Sequence, residues 1–198
     1  MTIIQPDFFT QPTLVVARSL LGQRLVREVG GRRLSGLIVE TEAYLGPADT
    51  ANHASKGRTA RTGVMFGPPG RTYIYLVYGL HSMLNVVTEP VDFPAAVLIR
   101  ALEPLAGLAV MQTNRGINQA GSTNLTNGPA KLCQALAITR SLNDWDLSLG
   151  QQLWLEPTNP VPEALIATGP RVGIDYARPQ DRAAPWRFWL KGNRFVSR

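Results

Sequence analysis

Residues 40–44 read Glu-Thr-Glu-Ala-Tyr at the end of an apolar run. If that run is a strand, alternate side chains share a face, and Ile38, Glu40, Glu42 and Tyr44 lie together. Two carboxylates beside a phenol make a poor core and a plausible reaction centre. Burial or a like charge moves a carboxylate toward the proton affinity a general base needs. The competing reading is a pair of solvent-facing strand residues. Downstream, Tyr73, Tyr75 and Tyr78 fall within six residues and make up three of the five tyrosines. Aromatic rings beside cations suit base stacking and base capture, although tyrosine also packs well in sheets. Tyr78 at a hairpin turn has the size to wedge between stacked bases. Asn85, polar in an apolar run, requires a partner. Arg100 ends another apolar run, where it either pairs with Glu103 or orients a carboxylate or phosphate.

These residues sit in an uneven field of charge. The chain has 198 residues, 20 Lys plus Arg against 14 Asp plus Glu, and a formal net charge of +6. Between Asp49 and Glu89 no acid occurs, whereas Lys56, Arg58, Arg61 and Arg71 do. After Asp181 the tail is again acid-free and carries Arg182, Arg187, Lys191, Arg194 and Arg198. Segregated basic stretches are the footprint of a polyanion partner, nucleic acid above all. Cys133 is the single cysteine, so no internal disulfide forms and a reducing compartment is expected. With His53 and His81 it falls short of the four ligands a structural zinc site needs. The N-terminal residues show no signal core and no window nears a membrane span of about 20 apolar residues, which makes a cytoplasmic protein the default expectation.

The elements that must position these groups follow from turn and capping signals. Residues 10–22 read as a helix with Pro12 in its first turn. Residues 24–27 and 34–44 read as strands around Gly30-Gly31, and residues 72–78 and 83–87 as a second hairpin with Tyr78 at its turn. The long Gly- and Pro-rich segment 46–69 has the look of an ordered functional loop. Residues 95–101 read as a buried strand, with Pro104 opening a helix through Met111. Gly128-Pro129 starts a helix through Ala137, and its free N–H groups offer a weak phosphate site. Residues 143–145 form a turn, and residues 152–155, 171–174 and 187–191 read as late strands. Hairpins with grouped helices indicate an α+β fold, one domain over residues 1–198, built on an antiparallel sheet.

The motifs together resemble a known family. Glu-Thr-Glu-Ala-Tyr-Leu-Gly-Pro (40–47), His53, Tyr-Ile-Tyr-Leu-Val-Tyr-Gly (73–79), Asn85, Leu-Ile-Arg-Ala-Leu-Glu-Pro-Leu (98–105) and Gly-Pro-Ala-Lys-Leu-Cys-Gln-Ala-Leu (128–136) closely resemble the alkyladenine (3-methyladenine) DNA glycosylases, in order, from about Phe9 to the C-terminus. The resemblance implies a compact fold with a curved antiparallel sheet and a protruding hairpin. It also implies a monomeric enzyme without metal or cofactor that excises 3-methyladenine, 7-methylguanine, hypoxanthine or ethenoadenine from duplex DNA in base excision repair. Carried over by position, Glu42 would be the general base that activates water and Arg100 would help hold that water. Tyr44, His53 and Tyr75 would wall the base pocket, Asn85 would block the 2-amino group of normal guanine, and Tyr78 would fill the gap left by a flipped nucleotide. Glu40 receives no catalytic role. Lys56, Arg58, Arg61, Arg71 and Lys131 are expected at the DNA backbone. No lysine lies in the matched reaction-centre motifs, so a monofunctional enzyme leaving an abasic site is expected. Two other readings stand beside this one: a nucleic-acid-binding module without a working base, and a carboxylate-pair glycosidase acting on a free sugar polymer.

Overall fold

Two consecutive glycines turn β1 (Arg24–Val29) back onto β2 (Arg32–Tyr44). Gly30 and Gly31 both have positive φ, the sign pattern of a tight hairpin turn that side chains disfavour. This computed structural model describes residues 2–119 and 121–197 of the protein, and Arg198 of the basic tail lies outside them. The remaining strands are β3 (Thr72–Val77), β4 (His81–Val87), β5 (Ala96–Ala106), β6 (Leu153–Glu156), β7 (Ile166–Gly169) and β8 (Arg187–Leu190). They form one antiparallel sheet in the order β3-β4-β5-β2-β1-β6, with β8 added against β2 and β7 against β8. The helices are α1 (Thr13–Ser19), α2 (Leu108–Arg115), α3 (Pro129–Ala135) and α4 (Pro179–Ala183). The protein is a single α+β domain with a curled sheet, as expected.

The curl has a local origin in β2. Its first half pairs with β1 and its second half, Glu40 to Glu42, pairs with β8, while β5 runs along the other edge throughout. Against β5 the register slips between Ser35 and Gly36 and then twice around Glu40, between Ile38 and Glu40 and again between Glu40 and Thr41. The partners there are Leu102, Ala101 and Ile99, so Val39 and Arg100 are the two residues left over. Bulges of this kind bend a strand and re-aim its side chains. They also correct the alternation expected from the sequence. Ile38 packs into the main core, as does Ala43, and Thr41 donates its hydroxyl to Ala17 O of α1. Val39 packs with Ala101 and Phe195 in a separate cluster. Glu40 and Glu42 therefore share a face with each other but not with Ile38.

The main core lies on the helix side of the sheet, where Val16, Ala17 and Leu20 around α1 and Leu132, Cys133 and Leu136 around α3 meet Ile38, Leu84, Val97 and Ile99. Three further expectations need correction. The helix begun by Pro12 is shorter, because Pro12 is its N-cap and Thr10 donates its hydroxyl to Asp7 O instead. No helix opens at Pro104: β5 continues to Ala106 and α2 begins only at Leu108. Pro104 sits opposite Gly36 at a register shift, where the ladder is already interrupted and a missing N–H is tolerated. A Cβ at Gly36 would stand 2.8 Å from Glu103 O, so only glycine lets the two strands approach there. Finally, residues 171–174 are a loop, and the strand of that region is β7. Gly173 takes φ of 75°, which ends any extended run.

Candidate active site

The Arg100 bulge aims its guanidinium at both carboxylates of β2. Nε lies 2.8 Å from Glu40 Oε1 and Nη1 3.1 Å from Glu42 Oε1. Both glutamates are fully buried, which disposes of the solvent-facing alternative, and Glu103 is not the partner; it accepts from Asn193 instead. Glu40 also accepts from Arg187 Nε at 2.7 Å and from the Ser197 N–H and hydroxyl. Glu42 is held differently. Tyr44 OH donates to its Oε2 at 2.9 Å, and the Val172 N–H donates to Oε1 at 2.7 Å. Oε1 thus meets two donors and Oε2 one, which leaves Oε2 a free lone-pair direction. Two acids and two arginines balance in charge, and removing one member of such a buried set costs about 3–5 kcal/mol. Burial works to lower the Arg100 pKa, but the Glu42 and Glu40 charges outweigh it and hold it above its ordinary value. Burial and then the Glu42 charge push the Tyr44 phenol well above its ordinary range, so it stays protonated and donates.

Tyr44, Arg100 and Val172, the three groups that hold Glu42, line a cleft of about 440 Å³. Its opposite wall is aromatic. Tyr73 and Tyr75 project from the same face of β3 with ring centroids 5.5 Å apart, and His53 meets Tyr75 edge-on at 4.5 Å. His53 Nδ1 lies 3.0 Å from Tyr73 OH and 3.3 Å from Arg61 Nη2. Burial, then the Arg61 charge, pushes the His53 pKa down to about 4, so the ring is neutral at pH 7. Asn85 is buried at the cleft edge with its amide anchored to Tyr73 O and Met83 O. At the mouth, the β3–β4 hairpin carries Tyr78 90% exposed at φ 52°, followed by Gly79 at φ 70° and an exposed Leu80. Left-handed backbone is uncommon for an aromatic residue and is a signal of function when observed.

Comparison with known proteins decides the family. The model of the family described as "Methylpurine-DNA glycosylase (MPG)" matches residues 7–194. The chain belongs to the methylpurine-DNA glycosylase family. Proteins named "Putative 3-methyladenine DNA glycosylase" are similar along their whole lengths. One from Methanocella arvoryzae is 47% identical over all of this chain and 97% of its own. One from Myxococcus xanthus is 46% identical over all of this chain and 95% of its own. One from Bacillus cereus is 48% identical over 98% of each. The protein is a DNA glycosylase, an enzyme of DNA repair whose substrate partner is DNA.

The fold brings Glu42, Tyr44, His53, Tyr75, Asn85 and Arg100 of this glycosylase around one cleft, with Tyr78 at its rim. The expected backbone cations scatter by comparison. Arg61 lines the cleft itself, with its guanidinium 5.1 Å above the Tyr75 ring. Arg58 is exposed but pairs with Asp92 and covers Phe66. Arg71 donates to Asp144 O and lies near the Asp144 and Asp146 carboxylates. Lys131 donates to Asn127 Oδ1. Lys56 is exposed at the end of a short helical turn, His53–Lys56, and has no polar partner among the described residues. Sequence reasoning missed the 172–176 loop, whose Val172, Gly173, Ile174 and Tyr176 close the cleft. Its signal was present: an arginine inside an apolar stretch, a breaking glycine, and an aromatic three residues after it. Among the described residues no three His, Cys, Asp or Glu side chains cluster in a way that could hold a metal ion. Cys133 is buried, its thiol pushed up to about 12 by burial.

Proposed function

We propose that this glycosylase excises alkylated or deaminated purines, of the 3-methyladenine, 7-methylguanine, hypoxanthine and ethenoadenine kind, from duplex DNA. The observation that carries this reading is the Glu42 carboxylate, buried behind one wall of an aromatic cleft, with three donors on it and one lone-pair direction left. The target C1′ is inaccessible in stacked DNA, so the nucleotide must rotate out into the cleft. Tyr78, exposed on a fixed turn beside the mouth, fills the space it vacates. Glu42 then takes a proton from water as the oxygen bonds to C1′. The bond from C1′ to the purine nitrogen breaks, and its electron pair leaves with the base. The carboxylate and its arginine hold the water and balance the oxocarbenium character that develops.

Lesion choice follows from the wall. A purine alkylated at N3 or N7 is cationic, and the aromatic lining attracts it against the Arg61 guanidinium that already lies over Tyr75. A neutral His53 does not repel it. Departure of that base neutralises it without a proton. Hypoxanthine has no such charge and needs a ring proton, which a His53 with a pKa of about 4 does not supply at pH 7, so neutral lesions leave more slowly. The anchored Asn85 side chain disfavours the 2-amino group of normal guanine, and 7-methylguanine, which carries the same group, is excised because its cationic base is the better leaving group. Among the described residues no lysine lines the cleft, which supports hydrolysis to an abasic site without strand nicking. The enzyme acts as a monomer on the duplex genome of the cytoplasm. The test is single-turnover base release from duplexes carrying hypoxanthine or 7-methylguanine. Free base and an alkali-labile site are expected, and intact DNA after prolonged incubation with both duplexes would overturn the reading.

A further inference from the structure

A second buried ion pair lies behind the cleft, between residues that the proposed chemistry does not use. Arg171 and Asp49 have fully buried side chains. They meet bidentately, with Nη1 2.6 Å from Oδ2 and Nη2 2.8 Å from Oδ1. The guanidinium lies between two rings, 4.7 Å from the centre of Tyr44 and 4.8 Å from that of Trp186. Nη1 also donates to Ala43 O, one residue from Glu42. Asp49 in turn accepts from the N–H groups of Leu45 and Ala51, which fixes the turn between β2 and His53.

From this geometry we infer that the Asp49–Arg171 pair is the positioning device of the Glu42 carboxylate. One guanidinium controls two of the three groups that hold Glu42. It stacks on the ring of Tyr44, whose hydroxyl donates to Oε2, and the Arg171 main chain continues into Val172, whose N–H donates to Oε1. Planarity and the two-pronged fork are what an arginine brings to such a place and a lysine does not. A buried pair contributes little to stability against an apolar replacement, whereas reactions that depend on geometry lose about a hundredfold from a misplacement of about 1 Å. Arg171 and Asp49 touch neither DNA nor water in the reaction; they act through Glu42.

The inference rests on Glu42 being the base, and the experiment separates the two. Arg171→Lys keeps the charge and removes the fork and the stack. Asp49→Asn with Arg171→Gln removes both charges, so that no orphan charge is left buried if the single variant folds poorly. Both variants are assayed by single-turnover excision of 7-methylguanine beside Glu42→Gln, with melting temperature and affinity for an abasic-site duplex. The expected result is a rate constant at least about tenfold lower, with amplitude and affinity within about twofold. A purely structural role would lower the amplitude and melting temperature and leave the rate constant of the folded fraction unchanged, which would overturn the inference. Slow Glu42→Gln with fast Arg171 variants would sink the positioning role alone. Fast Glu42→Gln would remove the base assignment and this inference with it.

Discussion

Glu42 and Glu40 lie on the same strand face but are held by different partners. Glu40 accepts from two arginines and from the Ser197 N–H and hydroxyl, which makes it the anchor that holds Arg100 in place. Glu42 is held instead by Tyr44, Arg100 and Val172, all of which line the cleft. That the two acids share a face was legible from Glu-Thr-Glu-Ala-Tyr alone, but how each is held was not, since the decision lies with Val172, Arg187 and Ser197 far along the chain. His53 yields a prediction at this scale. Its folded pKa of about 4 lies below the ordinary 6.5, so between those values the unfolded chain binds more protons than the fold. Stability therefore rises with pH across that window and is flat with respect to His53 above it. NMR titration is expected to place the His53 midpoint near 4, and His53→Asn to flatten part of the acid limb of melting temperature against pH. A midpoint near 6.5 would show that the wall is solvated and that His53 charges readily.

At the level of elements, the hairpins were legible because turn chemistry is local: Gly30-Gly31 and Tyr78-Gly79 announce themselves in a few residues. The Pro104 strand and the 171–174 loop were not, because each is decided by a distant partner. Pro104 continues β5 since Gly36 and a register slip face it, and residues 171–174 leave the sheet because Arg171 turns inward to Asp49. The twin slips of β2 and β5 are the least readable feature and the most consequential, since they place Arg100 over the acids. The β3–β4 tip has a cost that can be measured. A left-handed aromatic residue costs about 1–2 kcal/mol, and Tyr78, being exposed, recovers little of it by packing. Tyr78→Asn, which tolerates that conformation, is expected to raise the melting temperature by about 2–4 °C and to weaken affinity for lesion DNA. Unchanged affinity would show that Tyr78 is not the wedge.

Across the whole molecule, the curled sheet separates two tasks. Its helix side carries the apolar core, and its other side gathers the charged cluster and the cleft. The uneven charge read from the sequence translates only partly into a DNA surface, because Arg58 and Arg71 face acids, Arg171 and Arg187 are spent inside, and pairing of this sort depends on tertiary neighbours. Lys56, unpartnered and one turn from His53, is the cation best placed for a phosphate. Affinity for duplex DNA is expected to fall linearly in log–log terms with salt, and Lys56→Ala to reduce the slope by about 0.9, the share of one phosphate contact. An unchanged slope would move the backbone track elsewhere. The central claim concerns Glu42, and the most direct measurement is the single-turnover rate of base release by Glu42→Gln from a 7-methylguanine duplex, with binding measured beside it. The expected result is a rate lower by about 10²- to 10⁴-fold with affinity for the abasic-site duplex retained; release at the native rate would contradict it.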